Sequence, residues 1–163
     1  MNPALKNFFR PIRLVYWTVL AGMTAMLGAA WMIGNELTIP RELDFTWLNY
    51  AAPLSGMAFI ILGERIYRLR ITRARALQPL AKQIAGYREA VILRMMIFDG
   101  AALVLIAAFA FSGNFLLAGL AAVIIFMYLL GMPTALKMVN DLKIEGLERE
   151  VILGNDPDAG KEV

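Results

Sequence analysis

The chain contains no cysteine and no histidine. Without cysteine there is no disulfide, no thiolate metal site and no thiol nucleophile. Without histidine there is no imidazole-ligated haem and no Ser-His-Asp triad. Charge is scarce too: Asp, Glu, Lys and Arg make up 18% of the 163 residues against 60% apolar residues, and mean hydropathy is +0.62. A soluble domain of this length needs more polar surface, so the composition predicts one membrane-embedded domain. Carboxylates remain for a hard cation, but no EF-hand or acidic-pair spacing occurs, so neither a metal nor a cofactor is expected. No nucleophile–base pair can be assembled, and the chain reads as non-enzymatic.

What the sequence does contain is long apolar runs. Residues 14–33 form a charge-free stretch with Tyr16, Trp17 and Trp31 near its ends, where amphipathic rings prefer the membrane interface. A signal-peptide core is shorter and ends in a small-x-small site, so a retained span is expected. Ala21, Ala25 and Ala29 place small residues on one stripe, predicting a close helix contact. Gly34-Asn35 closes this run. A second span is read over 48–66, with Pro53 in its first turns and Ser55-Gly56 keeping its surface thin. Its helix should continue past the charges, because nothing breaks it before Pro79. The third span covers 90–111, entered through a hinge at Gly86-Tyr87 and closed by Ser112-Gly113-Asn114. The fourth covers 115–130 and ends at Gly131-Met132-Pro133, with Thr134 placed to cap a further helix. Residues 134–153 carry apolar positions at helical intervals among charges and read as a short amphipathic segment on the membrane or against the basic loop; 154–163 reads as a disordered tail. The fold class is thus an all-α, four-helix transmembrane bundle forming a single domain over 1–153.

Charge fixes the orientation. The N-terminal arm, the 64–94 region and the C-terminal segment hold 15 of the 16 Lys and Arg residues; only Arg41 lies elsewhere. By the positive-inside rule both termini and the loop between spans two and three are cytoplasmic. That loop carries Arg65, Arg68, Arg70, Arg73, Arg75, Lys82 and Arg88. An arginine run can read nucleic acid, but a basic loop between spans is what insertion itself requires. No nucleic acid is therefore expected; membrane lipid, a membrane-protein partner or a second copy is. Glu64, Arg65, Arg88 and Glu89 could join in a rim charge cluster or simply snorkel. The shared Gly-Asn at 34–35 and 113–114 leaves open whether the two hairpins are a duplication.

Two charges within the third span, Arg94 and Asp99, form the candidate intramembrane polar site. A carboxyl at that depth is either a proton-handling group or a packing group held by a partner. Arg94 stands five residues earlier, about 140° around the helix, so a partner on another helix is the better fit. Thr18, Thr24, Tyr50, Ser55 and Tyr128 are the polar candidates. Gly100 would let a neighbouring helix approach the carboxyl.

Over one hairpin, Gln78-Pro79 through Asp99 and the following GAALVLIAAFAF run resembles the c subunit of rotary ATP synthases. That resemblance implies an ion-binding role for Asp99, although the dense glycine repeat of those rotors and the arginine before their Gln-Pro are missing. More of the chain is similar to small uncharacterised four-span bacterial membrane proteins. Asp99-Gly100-Ala101-Ala102, Gly113-Asn114, Pro133-Thr134 and Asn140-Asp141-Leu142 carry that likeness. It implies a multi-pass protein of the bacterial cytoplasmic (inner) membrane and supplies no mechanism. Two functions remain in contention. One is a scaffold or accessory subunit presenting a basic cytoplasmic surface to partners or anionic lipid. The other is a proton-conducting or transport component using Asp99.

Overall fold

The computed structural model describes residues 9–36 and 46–153. They form six helices and no strand: α1 (Phe9–Glu36), α2 (Leu48–Arg75), α3 (Leu80–Ser112), α4 (Phe115–Leu130), α5 (Ala135–Leu142) and α6 (Leu147–Leu153). The expected features of the N-terminal arm, of the first loop around Arg41 and of the tail lie outside the described residues.

α3 is the axis of the molecule. Its 33 residues rise about 50 Å, and it packs against α1, α2, α4 and α5. Its buried residues, among them Tyr87, Val91, Phe98, Ala102, Leu105 and Phe109, follow one broad face, and the opposite side, with Met96, Val104 and Phe111, is exposed. α2 lies along it, joined by the turn at Gln78-Pro79. Two glycines set their separation. A Cβ on Gly63 would meet Ile97 at 3.1 Å and Phe98 at 3.3 Å, and one on Gly86 would meet the Ala74 Cβ at 3.0 Å. Gly86-Tyr87 is therefore no hinge: α3 is unbroken from Leu80, and Gly86 is spent on close packing. The third apolar span starts inside a helix rather than at its end.

α1 packs on α3 and α4 through Ile12, Tyr16, Leu20, Met23 and Ala30. The stripe of Ala21, Ala25 and Ala29 is exposed, contrary to expectation. The larger side chains on the opposite face bury more apolar area, and Tyr16 stacks on Tyr128 of α4 at 4.6 Å. α1 also runs through Gly34-Asn35 to Glu36, whereas Gly113 ends α3 with a left-handed φ of 65°. The two Gly-Asn pairs are thus not equivalent in backbone.

The turn after α3 is tied down. The Asn114 side chain accepts from the Leu116 N–H, and its amide donates to Asn49 Oδ1 of α2 at 3.0 Å. Trp31, Phe109 and Phe115 group beside it, with Trp31 and Phe115 ring centres 5.0 Å apart. At the other end of α4, Thr134 caps α5 as expected, accepting from the Lys137 N–H at 3.2 Å. The chain bends there by 82°, and α5 packs across α2 and α3.

Two helices are long and apolar enough to cross a membrane, Pro11–Ile33 within α1 and Leu80–Ser112; a third is reached if α4 and α5 count as one broken span. α4 alone has 16 residues. In α2, Asn49, Pro53, Ser55, Gly56 and Gly63 dilute the apolar run before Glu64-Arg65 closes it.

Candidate functional site

Arg94 turns away from Asp99. Its guanidinium pairs with Glu64 of α2, and it sits over the rings of Tyr67 at 5.0 Å and Phe98 at 5.3 Å. The two charged side chains are 22% and 34% exposed, so the pair is partly desolvated and the ring faces hold the cation in place. Glu64, Arg65, Arg88 and Glu89 do not pair with one another here. Glu64 takes Arg94 and Glu89 comes within 4.0 Å of Arg70, while Arg65 and Arg88 point outward.

Asp99 is half-buried and makes no hydrogen bond or ion pair among the described residues. Its candidate partners are engaged elsewhere. Thr18 donates to the Leu14 carbonyl, Thr24 to Leu20 and Ser55 to Ala52, each within its own helix. Tyr50 is exposed at the start of α2. Tyr128 lies close enough to feel the charge of Asp99, but no bond joins them. Gly100 does not mark a helix contact, since a Cβ there would meet nothing within 4 Å. The close approach falls at Gly63 instead.

The seven cations of the basic region, Arg65, Arg68, Arg70, Arg73, Arg75, Lys82 and Arg88, are all exposed on the α2–α3 hairpin. Arg75 is anchored: its Nε donates to the Asp141 carbonyl of α5 at 2.6 Å. Asp141 also accepts from the Tyr67 hydroxyl, so α5 is held to α2 from two sides.

Sequence reasoning named Tyr16 and Tyr128 singly but missed the convergence of four tyrosines. Tyr16, Tyr67, Tyr87 and Tyr128, with Arg94 and Lys137, line a cavity of about 20 Å³, room for about one water. The Tyr16 hydroxyl donates to the Tyr128 carbonyl. The hydroxyls of Tyr87 and Tyr128 are buried with no hydrogen-bond partner among the described residues. Among the described residues Lys137 donates to the Gly131 carbonyl alone, at 3.4 Å. Burial holds its ammonium below the ordinary lysine range, and Arg94 pushes the same way against Asp141 and Glu64. Both charged residues lining the cavity are cations. The available signal was positional: Tyr16, Tyr67 and Tyr87 fall near the basic ends of their helices, and Tyr128 falls in the last turn of α4, ahead of Lys137. Among the described residues no group of acids could hold a metal ion. Arg94 is already met by Glu64, and Lys137 feels both Asp141 and Glu64, so what the cavity offers is a berth for about one water among phenolic hydroxyls.

Comparison with protein-family models, with curated proteins and with solved structures gives no match.

Proposed function

We propose that this chain is a non-enzymatic four-span protein of the bacterial inner membrane, with both termini in the cytoplasm. It acts as a scaffold or accessory subunit whose basic α2–α3 hairpin is presented to anionic headgroups or to an acidic partner. The observation that carries this reading is the exposure of all seven hairpin cations on helices too long for the hydrocarbon core. α2 and α3, with 28 and 33 residues, rise about 42 and 50 Å against a core of about 30 Å. The excess falls where the arginines are.

The test uses full-length protein in nanodiscs of neutral lipid, mixed with vesicles of phosphatidylglycerol or of phosphatidylcholine. Arg65, Arg68, Arg73 and Arg88 are replaced together by Gln, leaving Arg75 on Asp141. Each surface cation contributes about 1 kcal/mol of attraction to an anionic surface, so co-flotation with phosphatidylglycerol vesicles should fall more than about tenfold and weaken with salt. Equal flotation on both vesicle types, or no change on substitution, removes the lipid half of the reading. Orientation is tested separately, because the chain has no native cysteine. A single cysteine at Thr38 should label from outside intact cells, and one at Thr72 or Lys143 should not. Outside labelling at Thr72 overturns the arrangement.

A further inference from the structure

We infer that α3 packs against α3 of a second copy within the membrane, with the two Asp99 carboxyls meeting across a two-fold axis. The outer face of α3 is bare. Met96, Gly100, Val104, Ala107 and Phe111 follow it at helical intervals, each exposed or half-buried. Asp99 stands at the edge of this face, half-buried and without a hydrogen bond or ion pair among the described residues. Its depth makes that position costly. Counted back from Ser112, where α3 ends, Asp99 lies about 20 Å into a hydrocarbon core about 30 Å thick. The nearer boundary is then about 10 Å away, and a side chain with a single methylene cannot snorkel that far. Acyl chains neither donate nor accept, so a carboxyl facing them stays unsatisfied.

Whatever covers Asp99 must bring a polar group at the same depth. A second copy does so by construction. Two copies inserted in the same direction share every depth, and a two-fold axis along the membrane normal sets Asp99 against Asp99. Two carboxyls in one dry site do not both ionise, and a protonated one donates to its neighbour. Gly100 points the same way. A Cβ there would meet nothing within 4 Å, so its thinness serves no contact inside the chain, unlike that of Gly63 and Gly86. Between two copies it lets the backbones approach at the level of the acid, and Ala107 does the same two turns further on. Such a dimer rests on the proposed crossing of α3 and requires nothing of what the hairpin binds.

The chain has no cysteine, so single cysteines report contacts cleanly. In native membranes, oxidation of Gly100→Cys or Ala107→Cys should give a disulfide-linked dimer, and Met57→Cys on the exposed side of α2 should not. Full-length protein dye-labelled at Lys82→Cys and diluted in phosphatidylcholine vesicles yields the monomer–dimer constant by energy transfer. Asp99→Leu should weaken the dimer about tenfold, the size of polar contacts between model membrane helices. Asp99→Asn should stay within about twofold of wild type, since two amides pair as two carboxyls do. Gly100→Leu should weaken the dimer as much as Asp99→Leu and keep the melting temperature of the dilute monomer, because its side chain has open space in one chain. Equal association of Asp99→Leu and wild type overturns the pairing, as does a monomer at every dilution. Cross-linking to a different protein in cells, with no self-association after purification, gives this face to another partner and overturns it too. The crossing of α3 is read separately: Ser112→Cys should label from outside intact cells and Lys82→Cys should not. Labelling of Ser112→Cys from the inside alone strikes the crossing, and with it the depth that the pairing needs.

Discussion

Arg94 and Asp99 stand five residues apart on one helix and live in different company. Arg94 has a carboxylate, two aromatic faces and a ring of phenols around it. Asp99 has no polar partner among the described residues. The difference follows from which helices reach each level. At Arg94, α2, α4 and α5 all arrive with polar groups. The threonines and serine that could have answered Asp99 have turned to their own backbones. A charge in an apolar stretch is thus no guide to where a fold invests its polar contacts.

The largest expected effect comes from removing one side of the Arg94–Glu64 pair. Arg94→Leu leaves Glu64 partly buried without its cation. Since breaking a fully buried pair costs about 3–5 kcal/mol, this half-buried one should lose on the order of 1–3 kcal/mol. Thermal unfolding in detergent should show a clear drop for the single variant and a smaller one when Glu64→Leu is added. If the double variant melts no higher than the single one, the pair is not what organises this end. Next in size is Tyr67→Phe. It deletes the hydroxyl that joins α2 to Asp141 of α5 and should cost about 1–2 kcal/mol, leaving a buried Tyr67 ring in place. Protease should then reach the segment around Lys143 sooner. Unchanged cleavage there would show that the Arg75 contact alone holds α5.

The smallest effect should be at Asp99. Asp99→Asn keeps size and hydrogen-bonding capacity but cannot ionise. With no partner to lose, it should change stability by less than about 0.5 kcal/mol. Wild-type protein in proteoliposomes should pass no protons down an imposed pH gradient. A flux that the Asn variant abolishes would reverse the comparison, making the unpartnered carboxyl the working group and the crowded end its support.

The helices are legible in the sequence because their signals are local. The run without a breaker from Leu54 to Arg75, the Gly113-Asn114 stop and the Thr134 cap each lie within a few residues of what they control. Gly86 misleads for the opposite reason. A glycine inside an apolar run looks the same whether it bends a helix or admits Ala74 of another, and only the packing decides. Ala21, Ala25 and Ala29 mislead in the same way, since small residues permit a contact without requiring one. Of the site, the cations and the two span charges can be read from hydropathy contrast. The Glu64–Arg94 pairing and the tyrosine ring cannot, because their members come from α1, α2, α3 and α4, far apart in sequence.

One dimension of the bundle reaches beyond the protein itself. α4 has 16 residues and therefore rises only about 24 Å, some 6 Å less than an average hydrocarbon core. If α4 crosses alone, the lipid beside it must thin, at a cost of fractions of a kcal/mol per Å, while the lipid around α3 need not. The strain would be lopsided, greatest along the flank that α4 forms. Reconstitution into bilayers of increasing acyl length should then destabilise the protein progressively. Membrane thickness, rather than any soluble signal, would become the variable to which this flank responds.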